Sequence, residues 1–184
     1  MIEARTQTTP RSPFADPDVP TRLPTDHRPT SCRLATTAEQ RAIVHGIRHE
    51  VFVEEQRLFA GSDQDAHDDD PRTRHVLGLY GDLVVGTVRL YPLDESGLWK
   101  GDRLAVLPGY RHTRLGRPLV NFAVRTAGEA GGSLMLAHVQ PQNVAFFERL
   151  GWRRVGEPTV YVGVIHQQMA IDLNSPGEEP SRSR

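Results

Sequence analysis

The chain has 184 residues, 38% of them hydrophobic and 24% charged, with a formal net charge of −1 at neutral pH. That length makes one domain of about 150 residues plus flanking tails, enough for a full core. The near-neutral balance, with no dominant basic face, argues against nucleic acid as the main partner. The single cysteine, Cys32, forbids an internal disulfide and suits a reducing cytosol. No apolar run approaches the ~18 residues of a membrane span. The first residues, MIEARTQTTPRSPF, lack the apolar centre of a secretory signal, so the expectation is a soluble cytoplasmic protein.

Residues 1–31 hold six of the fourteen prolines and little apolar clustering, which reads as a disordered leader. CRLA is the first expected strand. Thr36 and Glu39 then stand at capping-box spacing, and Ile43, Ile47 and Val51 recur every four residues, so a helix of about four turns begins there. Residues 61–74 are polar and form a loop. HVLGLY and LVVGTVRLY are β-rich runs separated by Gly81-Asp82, the pattern of a hairpin. RLAVLP supplies the next strand, and residues 114–130 a helix ending at Gly131-Gly132. SLMLAHV is an unbroken apolar run of the kind buried on both faces. A short helix over 143–150 and strands near 153–162 and 165–172 complete a domain spanning 32–173, before a disordered tail over 174–184. The order β-α-β-β-β-α-β-α-β-β implies an α/β (α+β) fold, a mixed sheet of about six to seven strands with helices on both faces.

The segment RHTRLG opens a helix directly after a strand. Its backbone N–H groups are unpaired and aimed above the strand end, a ready phosphate site to which Arg111 and Arg114 add positive charge. That arrangement points to a cofactor-dependent transferase. The stretch from Arg103 to Trp152 resembles the acetyl-CoA-binding half of the GNAT (Gcn5-related) N-acetyltransferases, whose signature is Arg/Gln-x-x-Gly-x-Gly/Ala. Arg111 matches its first position and Gly116 its last, while Arg114 replaces the middle glycine. Asn143 and FFERLGW match a second signature, with Phe147 where the family usually carries tyrosine.

The resemblance implies a GNAT fold, residues 53–60 supplying the second N-terminal helix, and acetyl-CoA as co-substrate for a primary amine. Arg111, His112, Thr113, Arg114, Leu115 and Gly116 would hold pyrophosphate, and Asn143 and Phe147 the pantetheine arm. A strand amide at Ala105 or Val106 would hold the oxyanion. Phe147 cannot donate a proton, but a thiolate leaves far more easily than an amine. His166, in Gly-x-x-His-x-x-Met, lies on the acceptor side in one GNAT branch; His138 reads more simply as a half-buried histidine. Glu55 is a candidate base for the acceptor ammonium, and Glu54 a solvated helix end. VF-x-x-EQ, followed by Asp-x-x-Asp and His75, resembles the same branch and also the acyl-homoserine-lactone synthases.

The acidic run from Asp63 to Asp70 begins like an EF-hand loop. It has Asp68 where glycine is required and Arg74 where a bidentate glutamate is needed, so no metal is expected. The expectation is a solvated acidic loop facing a cationic acceptor. Tyr91, Trp99 and Trp152 read as core or pocket lining. GLWKGDRLAV, LAHVQPQNVAFFERLGW and GVIHQQMAIDL together resemble a bacterial GNAT subfamily associated with nitrogen-starvation gene clusters. A small-molecule amine would be the partner, with no nucleic acid or membrane, and a homodimer is left open. A catalytically silent acyl-CoA sensor and an acyl-homoserine-lactone-type synthase are the alternatives.

Overall fold

The computed structural model describes residues 28–161 and 163–174. The expected leader and tail lie outside them, apart from residues 28–31 and Asn174. The strands are β1 (Thr30–Leu34), β2 (Arg74–Tyr80), β3 (Leu83–Pro92), β4 (Leu98–Val106), β5 (Leu134–Val139), β6 (Arg153–Arg154), β7 (Thr159–Tyr161) and β8 (Val164–Asp172). The helices are α1 (Ala38–Arg48), α2 (Gly116–Glu129) and α3 (Val144–Glu148). The sheet order is β1-β2-β3-β4-β5-β8-β6, with β7 paired to β8. Among the described residues only β4 and β5 run parallel.

The cap of α1 sits one residue later than the sequence suggests. Thr37 is the N-cap and Gln40, not Glu39, closes the box, its Oε1 accepting from Thr36 N at 2.7 Å and Thr37 N at 3.3 Å. Residues 53–60 supply no separate helix. Instead α1 runs straight into a wider π-helical stretch, His49–Glu55, and Gln56 N reaches back five residues to Val51 O at 3.0 Å. Such stretches re-aim side chains and recur at functional sites. This one packs Phe52 in a cluster with Ala105 of β4 and brings Gln56 to Gln140, just after β5.

The register of β2 and β3 explains how α2 is seated. Gly78 pairs directly with Gly86, and the space they leave is filled by Leu115 and Leu119, both fully buried. A Cβ at Gly86 would lie 3.0 Å from Ala105 O and 3.1 Å from a Leu115 methyl, so that pair fixes the start of α2 against the sheet. Burying each leucine contributes about 1.5–3 kcal/mol. β5 is not buried on both faces. Met135, Ala137 and Val139 face the core beneath α2, whereas Leu136 and His138 are only half-buried on the opposite face.

His75, on β2, is almost wholly buried beside His45 (ring centroids 5.7 Å apart), and neither ring nitrogen has a hydrogen-bond partner among the described residues. Burial pushes its pKa down to about 4, with the nearby Arg48 adding to the fall against an opposing pull from Asp68. At 3.7 Å from Asp68 a neutral ring forms no ion pair. The unfolded chain therefore takes up a proton near pH 6.5 that the fold refuses until about pH 4. Stability should fall through that window by roughly 3 kcal/mol and level off for this group below it. His45, also pushed down by burial, acts in the same direction. Urea midpoints at pH 7.5, 6 and 5 check this. His75→Gln should flatten the slope, and equal wild-type midpoints at pH 7.5 and 5 would refute it.

Candidate active site

β4 pairs with β5 only at Leu98–Leu134, Trp99–Met135 and Lys100–Leu136; beyond Lys100 the two strands separate. On the other edge of β4 the ladder jumps from Arg89–Asp102 to Thr87–Ala105, so Arg103 and Leu104 face Val88 alone. This is a β-bulge, and Arg103 takes the left-handed conformation, φ +52°, that bends the strand away. The result is a V-shaped cleft whose β4 wall carries unpaired backbone.

Long-range ion pairs hold the bulge. Arg103 donates to Asp63 Oδ2 at 3.0 Å and Asp65 Oδ2 at 3.2 Å, and its guanidinium lies 4.6 Å from the Phe59 ring centroid. The fully buried Arg48 bonds Asp63 at 2.7 Å and Asp68 at 2.6 Å. Arg89, equally buried, bonds Asp102 at 2.8 Å and Asp65 at 2.7 Å. The acidic run is thus not a solvated loop facing an acceptor: Asp63, Asp65 and Asp68 are taken up by three arginines from three other elements. Its short helical turn, Ala66–Asp68, stacks His67 on Tyr91 at 4.0 Å. The arginines hold the Asp68 carboxyl far below the usual carboxylate range, and that of Asp65 also low, in both cases against the opposing effect of burial.

At the open end of the V, residues Pro108–Thr113 form a tight helical turn, and Arg114 closes it at φ +59°. The arginine thus keeps the left-handed backbone that the signature's middle glycine would adopt freely. The N–H groups of Leu115 and Gly116 have no partner among the described residues, and they open α2. Leu115 anchors the turn in the core, Thr113 Oγ1 donates to Tyr110 O at 2.6 Å, and His112 packs edge-on against Tyr80. Gly116 is not sterically required: a Cβ there would meet Phe146 at an ordinary 3.6 Å.

Arg111 and Glu55, expected to serve different ends of the reaction, bind each other through two hydrogen bonds, 2.8 and 2.6 Å long. Those bonds hold the Glu55 carboxyl below its usual range, which makes it a poor base in this state. Beside them Gln140 donates to Gln56 at 3.2 Å, so the end of the π-helical stretch straps both walls of the cleft mouth. Glu54 is exposed, 3.6 Å from His49 Nε2.

The cavity inside the V is lined by Gly101–Leu104 of β4, Ala137–Val139 and Gln140 from β5, Phe52, Leu58 and Phe59 from the first-helix side, and Asn143 and Phe147 around α3. Val106, at the end of β4, matters through its backbone. Leu107 N donates to Val85 O at 2.9 Å, so ladder alternation gives the Ala105 amide to β3. The amides turned into the cleft are those of Val106 and Leu104. Tyr161, which no local sequence pattern singles out, lies in the same cavity. His138 stacks on its ring at 4.5 Å and His166 meets it edge-on at 5.5 Å. His166 Nδ1 lies 3.0 Å from Val164 O, a contact that favours the Nδ1–H tautomer and leaves Nε2 a free acceptor. His138 Nδ1 is buried without a partner among the described residues, and burial, then Lys100 and His166, lower its pKa. Cys32 sits on β1, far from the V, its thiol pushed up to about 11 by burial, so it offers no nucleophile.

The helix-opening turn and the splayed, bulged strand pair both fall within residues 40–152, which match the family model of the acetyltransferase (GNAT) family. The chain belongs to the GNAT family. It is 33% identical over 124 residues to a candidate acetyltransferase of Bacillus subtilis (strain 168), covering 67% of this chain and 83% of that protein. Among solved structures, a candidate N-acetyltransferase from Lactobacillus plantarum superposes with a TM-score of 0.69 at 23% identity, over 78% of this chain and 98% of that one. BjaI, a CoA-dependent acyl-homoserine lactone synthase solved with SAM and isopentyl-CoA, gives 0.62 at 21% identity, over 79% and 83%. This GNAT chain is therefore an acyltransferase. Its Phe147 packs against Trp152 in the cavity wall (centroids 5.3 Å apart), and Asn143 stands at the entrance to α3.

Proposed function

We propose that this protein is an N-acyltransferase that passes the acyl group of an acyl-CoA, acetyl-CoA being the simplest donor, directly to a primary amine of a small molecule. The support for the reading is a line of backbone N–H groups, from Leu115 and Gly116 at the start of α2, unpartnered among the described residues, to Val106 and Leu104, which strand alternation turns away from β3, leading to two histidines. The first pair suits a pyrophosphate, with the positive end of α2 behind it. Asn143 and Phe147 border the path of a pantetheine arm. The Leu104 amide, within the bulge, would hold the oxyanion; such a donor contributes about 3 kcal/mol to the barrier reduction.

An acceptor amine is protonated at neutral pH and must lose that proton before it attacks. His138 takes it. It lies on β5 two residues past the last β4–β5 pair, Lys100–Leu136, and lines the same cavity as Asp102 and Arg103; its lowered pKa keeps the ring neutral. His166, one strand farther on, holds Tyr161 against it. The amine nitrogen then bonds to the thioester carbon, the oxyanion collapses and the C–S bond breaks; the extra proton on the new amide nitrogen passes to the departing thiolate, which leaves as the free CoA thiol. A thiolate leaves far more easily than an amine or alkoxide, so that departure does not depend on a tyrosine at position 147.

Thermal melts and thiol release test the proposal. Acetyl-CoA at 100 times its dissociation constant should stabilise the fold by about 2.7 kcal/mol, and an amine panel should release free CoA. Glu55→Gln, which frees Arg111 for phosphate, should tighten CoA binding severalfold without lowering kcat. A fall in kcat would return the base to Glu55. Binding without turnover against any amine would leave an acyl-CoA sensor.

A further inference from the structure

We propose that the core side of the cleft is an acyl-chain pocket, and that the donor favoured by this enzyme carries a chain of about four to six carbons rather than acetyl. The inference rests on the acyl-CoA reading above. The cavity does not stop at the bulge. From Arg103 back to Gly101, about 6–7 Å at the rise of a strand, it continues between β4 and β5 and is lined by Gly101, Met135, Val120, Ala123 and Trp152. Apart from Gly101, these residues belong to the buried core beneath α2. The whole cavity measures about 140 Å³. Protein cores are close-packed, and an apolar void lowers stability unless something fills it. Water is a poor occupant of such a space.

The space exists because small residues face one another across it. Gly101 on β4, Ala123 on α2 and Ala137 on β5 all line it. A Cβ added at Gly101 would lie 3.2 Å from Met135 Sδ and push that side chain inward. The methyl of an acetyl group, held at the bulge, would leave the far end of this space empty.

Calorimetric titration of CoA and of its acetyl, propionyl, butyryl, isovaleryl, hexanoyl and octanoyl thioesters tests the assignment without a known acceptor. Each methylene entering the pocket should tighten binding about fourfold, with the gain ending near six carbons. Within Gly101→Ala, Gly101→Val and Ala123→Ile, the ratio of hexanoyl-CoA to acetyl-CoA affinity should collapse towards one. That ratio is internal to each variant, so a general loss of stability does not move it, and the alanine variant guards against misfolding of the larger two. Flat or falling affinity from acetyl to butyryl overturns the pocket and leaves the acyltransferase reading intact. Failure of CoA and every thioester to bind removes both.

Discussion

Replacing His138 by glutamine is expected to lower kcat by roughly 10²–10⁴-fold, the usual contribution of a positioned general base. Glutamine keeps the size and polarity of the ring but cannot accept a proton, and His138 is only half-buried, so the fold should persist. The wild-type profile of kcat/KM should rise through a midpoint below the ordinary histidine value, because burial, then Lys100 and His166, disfavour the imidazolium. In the variant that limb should vanish, while acyl-CoA affinity is unchanged. His166→Gln should cost about tenfold or less, since its ring serves mainly to orient Tyr161 against His138. A His138→Gln enzyme within threefold of wild type, with the acidic limb intact, would sink the assignment. The reverse ranking would move the base to His166, whose Nε2 is already free to accept.

What the sequence made legible is what contiguous residues encode. RHTRLG reads as a helix-opening turn because its neighbours are a strand and an amphipathic helix, and the turn is found there. Asn143 and FFERLGW likewise carry their own signature. The bulge was not legible, because Arg103 is held left-handed by Asp63 and Asp65, some forty residues away in the chain. GLWKGD does not look like a strand, yet β4 begins at Leu98 and needs those residues to pair with β5 before the two diverge. The acidic run misleads for a related reason. Its partners Arg48, Arg89 and Arg103 lie on three separate elements, so the local pattern shows only exposed-looking carboxylates. Tyr161 gives no signal at all until the β5–β8 and β7–β8 pairings bring His138 and His166 against its ring. Glu55 and Arg111, 56 residues apart, each looked available for chemistry, and their mutual pairing could be seen only in three dimensions.

Asp63→Asn should be the most destabilising single change in this network, at about 3–5 kcal/mol. Asp63 is 2% exposed and accepts from Arg48 and Arg103, which are themselves 0% and 8% exposed. The amide keeps the volume but removes the charge, so two guanidiniums stay buried with less than their counter-charge. For a domain of this size the melting temperature should fall by roughly 10 °C or more. The exposed pair Arg72–Glu95 is the internal comparison: at 3.2 Å it is an ion pair too, yet Glu95→Gln should leave the melt unchanged because water screens it. A second readout separates structure from function. The left-handed conformation at Arg103 costs about 1–2 kcal/mol and persists only while its guanidinium is held. Loosening Asp63 should therefore let β4 straighten and carry the Leu104 amide away from the oxyanion position. At a temperature where the variant remains folded, kcat should drop while CoA affinity, which the proposed mechanism assigns to the Leu115 and Gly116 amides at the other end of the cleft, should hold. A variant that loses stability but keeps full kcat would mean that the network supports the core alone and that the bulge holds itself.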